Sequence, residues 1–151
     1  AFNSCENLTS IIIPNSVTSI GEGAFSSCSS LTSIVIPESV TLIGDEAFSR
    51  CTSLTSIIIP NSVTSIGNEA FLFCSSLTSI VIPESVTFIG RETFFSCTSS
   101  IFYKGSLIPK TWDISWKACF HGTLYFYSET EPTDSGNYWH YDSDGVTPVI
   151  W

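Results

Sequence analysis

The 151-residue sequence predicts a solenoid: a β-rich α/β stack of 23-residue coils with a parallel β-sheet on one face, short helices or turns elsewhere, and an aromatic C-terminal cap. Three observations carry this prediction. A period of 23 runs without gaps through Phe2, Phe25, Phe48, Phe71 and Phe94 and, three residues after each, through Cys5, Cys28, Cys51, Cys74 and Cys97, and a fixed period of that size marks stacked repeats. Within each unit β-branched residues alternate as in a strand. After Cys97 the pattern frays, and all four Trp and all five Tyr occur from Tyr103 onward, as expected where an atypical repeat closes a stack.

One unit reads A-F-x-x-C-x-x-L-T-S-I-x-I-P-x-S-V-T-x-I-G-x-x. The L-T-S-I-x-I stretch predicts a short strand with Leu8, Ile11 and Ile13 on one side and Ser10, Ile12 and Pro14 on the other. Pro14 ends the strand because it has no N–H to donate. Val17-Thr18-Ser19-Ile20 is a second extended piece, and Gly21 closes it, suited either to a positive φ or to a close packing corner. The rest of the coil, G-x-x-A-F-x-x-C-x-x-L, has apolar residues at helical spacing over one or two turns. Such a unit buries its apolar side only against its neighbours.

Regular repeats are expected over residues 1–105, beginning in mid-coil, with a degenerate last repeat and cap over 106–151. Ser99 to Gly105 reads as a strand shortened by two residues. Trp112, Trp116, Cys119 and Phe120 have helical spacing, and Thr123 to Tyr127 reads as a last strand. Tyr138 to Tyr141 and Val146 to Trp151 flank the turn Asp142-Ser143-Asp144-Gly145 as a hairpin. Asn15, Glu38, Asn61 and Glu84 alternate, as do Ile12, Val35, Ile58 and Val81, so a longer period of 46 overlies the shorter one.

The 23-residue period and L-x-x-I-x-I strand lie in the leucine-rich-repeat range. With its A-F-x-x-C and I-P elements the sequence resembles the BspA-like leucine-rich repeats of bacterial surface proteins. That resemblance implies a non-catalytic, cell-surface or secreted protein-binding module of adhesion type, with host or bacterial surface proteins as partners. The alternative is a structural spacer or antigenic array without a ligand of its own. An extracellular location follows from the resemblance alone, since Ala1 to Cys5 has no signal-peptide character.

Five Lys and Arg against 14 Asp and Glu leave a net charge of −9, which argues against binding nucleic acid by neutralising phosphates. No apolar run approaches the roughly 18 residues of a membrane span, so this segment is not expected to insert. Ser and Thr fill 43 positions while only 13% of residues are charged, so hydroxyls take much of the surface that charges normally cover. No Ser-His-Asp, paired-carboxylate, metal or phosphate motif recurs, and neither enzymatic activity nor a cofactor is expected.

The candidate ligand-binding residues are those that face outward on the strands. Stacking sets Ser10, Ser33, Ser56 and Ser79 in one column and Ile12, Val35, Ile58 and Val81 in another, at the strand spacing of roughly 4.8 Å. Cys5, Cys28, Cys51, Cys74, Cys97 and Cys119 are expected to form an internal column of free thiols acting as small hydrophobes. Cys119 stands two residues before His121, but as a core position it is not expected to be a nucleophile. Glu46, Glu69 and Glu92, with Asp45 and Arg91 beside them, read as a solvated charged edge. Trp139, Tyr141 and Trp151 are expected to cover the open end of the stack. The opposite end, above Cys5, Leu8, Ile11 and Ile13, is expected to be open and to allow self-association.

Overall fold

The structure is a computed structural model that describes residues 1–97, 99–105, 107–117, 120, 122–143 and 148–150. Between residues 33 and 89 each coil contributes one strand to each of two sheets. Strands β1 (Ser19–Ile20), β3 (Leu42–Ile43), β5 (Ser65–Ile66) and β7 (Phe88–Ile89) form the smaller sheet, all parallel, in the order β1-β3-β5-β7. Strands β2 (Ser33–Val35), β4 (Ser56–Ile58), β6 (Ser79–Ile82), β8 (Ser100–Tyr103), β9 (Leu124–Tyr127), β10 (Tyr138–Tyr141) and β11 (Pro148–Ile150) form the larger one. Its strands are parallel from β2 to β10, and β11 returns antiparallel to β10. The first coil joins this sheet only through a parallel bridge between Ile12 and Val35.

The register of 23 sets like on like. Ser33 lies opposite Ser56 and Ser56 opposite Ser79, and Val35, Ile58 and Val81 align beside them. Inward, Leu31, Leu54 and Leu77, with Ile34, Ile57 and Ile80, are buried in one continuous core. The phenylalanines form a ladder of near-parallel rings, with Phe25, Phe48, Phe71 and Phe94 successively 5.4 to 5.6 Å apart. Trp116 ends that ladder by packing edge-on to Phe94 at 6.0 Å.

Among the described residues there is no helix. The A-F-x-x-C segments, with their helical spacing, are chains of four-residue turns, as in Cys28 N–H to Phe25 C=O and Leu31 N–H to Cys28 C=O. The reason is conformational. Two residues per coil take a left-handed backbone, Gly23, Glu46, Glu69 and Glu92 at one position and Ser4, Ser27, Arg50, Phe73 and Ser96 at the other. They stand four residues apart and break any helix between them. Alternate amides of the stretch point to the next coil instead, where Gly23 N–H donates to Asp45 C=O, Phe25 N–H to Ala47 C=O and Ser27 N–H to Ser49 C=O. The segment around Trp112 and Trp116 is likewise turns.

Gly44, Gly67 and Gly90 resolve the other alternative. None has a positive φ; they are packing corners, where a Cβ on Gly67 would stand 2.5 Å from the Asp45 amide nitrogen and one on Gly90 2.5 Å from that of Asn68. The hydroxyl-rich composition also finds its place here. Thr32, Thr55 and Thr78 donate their hydroxyls to the carbonyls of Thr9, Thr32 and Thr55, and Ser39, Ser62 and Ser85 donate to Val17, Val40 and Val63. Side-chain hydroxyls thus tie coil to coil beside the backbone ladder.

Candidate binding face

The strands of the larger sheet expose the side chains that alternate with the core. Ile12, Val35 and Ile58 are 91%, 78% and 68% exposed, and Val81 is half-buried. Ser10, Ser33 and Ser56 are exposed beside them, with Ser79 half-buried. The eight residues are therefore brought together as two parallel columns on one face. Pro14 is exposed, but its counterparts Pro37, Pro60 and Pro83 are buried, so proline belongs to the packed edge of each coil and not to this face. Asn15, Glu38, Asn61 and Glu84, in the turns just beyond, are all exposed.

The apolar column does not stop at Val81. Val81 lies opposite Phe102, and Phe102 opposite Tyr125, whose rings stack at 5.2 Å. Trp139 packs on Phe102 at 5.4 Å and on Tyr127 at 5.1 Å, and its indole N–H donates to the Tyr103 carbonyl at 3.2 Å. Phe102 is left only 5% exposed, and Trp139 is fully enclosed. Trp139, expected from the sequence to cover the open end of the core, instead roofs the outer sheet face beside Tyr141, over whose ring the Lys104 ammonium sits at 4.9 Å. Toward the core end Trp112 and Trp116 are buried, Trp112 edge-on to Tyr103 and bonded through its indole N–H to the Val86 carbonyl. Trp151 lies outside the described residues. The extension of the column was missed because 21 residues separate Val81 from Phe102; its signal was the 23-residue interval regained between Phe102 and Tyr125.

Cys28, Cys51, Cys74 and Cys97 are buried free thiols, while Cys5 is exposed. Each buried thiol donates to the carbonyl of the phenylalanine 26 residues earlier at 3.0 to 3.1 Å, Cys51 to Phe25 and Cys74 to Phe48 among them. Burial pushes Cys51 up to about 12, with the neighbouring Cys28 adding to it, and Cys97 up to about 11. Such thiols are protonated and inert at neutral pH. Cys119 and His121, considered together from the sequence, lie outside the described residues.

On the charged edge, Arg91 pairs with Glu69 at 3.3 Å, and the Asp45 carboxylate accepts from both the backbone and the side-chain amide of Asn68. No group of three or more potential metal ligands occurs among the described residues. At the N-terminal side of the stack, Phe2, Ile11, Ile13, Val17, Ile20 and Phe25 help line an apolar depression of about 390 Å³. Among the described residues no helix is long and apolar enough to cross a membrane.

Coils of 23 residues repeated in register, a parallel sheet on one face and a continuous apolar core define a leucine-rich-repeat solenoid. The family model of the BspA-type leucine-rich-repeat region matches residues 1–123 in six copies, and the chain belongs to that family. Among solved structures it is similar to the leucine-rich-repeat protein of T. pallidum, with a TM-score of 0.64 and 26% identity over 80% of this chain and 58% of that one. A leucine-rich cell-surface protein of Faecalibacterium prausnitzii is 32% identical with a TM-score of 0.49, over 75% of this chain and 35% of its own length. A leucine-rich-repeat protein of Bacteroides ovatus is 23% identical over 83% of this chain and 51% of that one, with a TM-score of 0.44. The chain therefore spans less than two thirds of the length of each. Comparison with curated proteins gives no match.

Proposed function

We propose that this chain is a non-catalytic, cell-surface or secreted protein-binding module of adhesion type, and that the outer strand face is its contact surface. The observation that carries this reading is the exposed column of Ile12, Val35 and Ile58 on a regular sheet. A contiguous row of large aliphatic groups left in water on a regular sheet marks a site of contact with another molecule. The rigid stack holds these groups at fixed spacing, so a partner meets a preordered surface and loses little to the ordering of the module. Membership of a repeat family with a cell-surface relative supports placing that partner outside the cell.

The test is retention on immobilised extracellular-matrix extract and on whole bacterial cells. Changing Ile12, Val35, Ile58 and Val81 together to Ser is expected to abolish retention while leaving the fold intact, because three of the four side chains are largely in solvent. Retention by the unmodified chain that the substitutions leave unchanged would remove the strand face from consideration. No retention in the first place would favour the spacer alternative. Light scattering run in parallel separates loss of a partner from loss of self-association.

A further inference from the structure

The outer face carries two spacings that no single strand of a partner would use together. One aliphatic side chain recurs per coil from Ile12 to Val81, about 4.8 Å apart, so three steps cover roughly 14 Å. Beyond Val81 the column passes under Trp139 and is closed. In the turns that follow β2 and β6, Glu38 and Glu84 are exposed, three residues past Val35 and Val81, while Asn15 and Asn61 occupy the same place in the alternate coils. Carboxylates therefore recur every second coil, about 10 Å apart. No Lys or Arg occurs before residue 50 in a chain of net charge −9.

An α-helix lying across the strands, along the column, has both spacings. Its turn advances about 5.4 Å, so side chains at i, i+3 or i+4, and i+7 meet one aliphatic residue per coil, and i to i+7 spans about 10.5 Å. About ten residues cover the open column. An extended segment laid parallel to the strands would instead cross the column once and pass a single carboxylate.

We propose, building on the binding function above, that the partner of this face is an amphipathic α-helix with an aliphatic stripe and with two Lys or Arg residues seven positions apart along one border. Ile12, Val35, Ile58 and Val81 receive the stripe, and Glu38 and Glu84 pair with the two cations. The 46-residue period then sets the pitch of charge recognition, with Asn in the alternate coils keeping like charges apart.

The probe is a fluorescein-labelled, helix-stapled peptide of fourteen residues, Leu at i, i+3, i+4 and i+7 and Lys at the two border positions, titrated by anisotropy against the full chain. Two control peptides accompany it, one with Glu for Lys and one of identical composition rearranged to alternate apolar and polar. The helical basic peptide is expected to bind, and the other two to bind at least tenfold more weakly. Glu38→Gln with Glu84→Gln is expected to weaken the basic peptide roughly three- to tenfold at low salt, as two exposed ion pairs would. The Ser substitutions in the column are expected to weaken it more than tenfold. Equal or tighter binding of the alternating peptide, indifference to the loss of Glu38 and Glu84, or no binding of the basic helix overturns the inference. Because matrix retention does not involve these peptides, it separates failure of the helical partner from failure of the binding function itself.

Discussion

Ser99 is wholly buried, and its hydroxyl has no hydrogen-bond partner among the described residues. Elsewhere in the stack a buried hydroxyl is satisfied, as in Thr93, which donates to Gly67 and Gly90. The difference arises where the coil shortens by two residues, since Ser79 lies opposite Ser100 at an interval of 21. An unpaired buried hydroxyl costs about 1 to 3 kcal/mol. Ser99→Ala removes it with almost no change in volume, and the variant is expected to be more stable by about 1 kcal/mol in urea unfolding. An unchanged or lowered midpoint would show that the hydroxyl has a partner after all. No sequence pattern marked this residue as exceptional, because Ser is common on every face of the molecule.

At the scale of the coil, the glycine column is a natural contrast. Gly21 and Gly67 hold the same repeat position, yet a Cβ on Gly21 would meet nothing within 4 Å while one on Gly67 would strike the Asp45 backbone. Gly67→Ala is expected to destabilise by about 1 to 3 kcal/mol through overpacking. Gly21→Ala is expected to be neutral or to stabilise by up to about 1 kcal/mol, by restricting the unfolded chain. Equal effects of the two substitutions in thermal melts would refute the packing-corner account. The contrast also shows what the sequence made legible. Strand, proline stop and second extended piece were readable because side-chain alternation and the missing proline N–H act locally. The choice between helix and turn in A-F-x-x-C was not, because it turns on left-handed Glu46 and Arg50, residue types that do not announce that conformation. The face of Ser10 and Ile12 followed from alternation alone. The roof over Phe102 did not, since Trp139 reaches it from 37 residues away in sequence.

For the whole stack, the thiol column couples the solenoid to pH. Cys51 and Cys97 titrate near 12 and 11 in the folded chain, both raised chiefly by burial, and Cys74 is raised well above its ordinary value by burial and by its two thiol neighbours. Unfolding returns these groups to water, where they ionise near 8.5 to 9. Above that pH the unfolded chain binds fewer protons than the folded one, so stability falls as pH rises. The contribution is complete below about pH 8.5 and is lost through the interval up to the folded values near 11 and 12. Each such thiol adds a slope of about 1.4 kcal/mol per pH unit within that window. Because neighbouring coils are stacked on one core, ionising one thiol opens its coil against two interfaces, and the losses are expected to appear as one cooperative transition. Urea midpoints measured under reducing conditions should be flat from pH 7 to 8.5 and fall steeply by pH 10.5. Cys51→Ala should be less stable at neutral pH, from the cavity and the lost S–H bond to Phe25, but should show a shallower alkaline slope. A slope identical to that of the unmodified chain would mean that ionisation of the column does not govern alkaline unfolding.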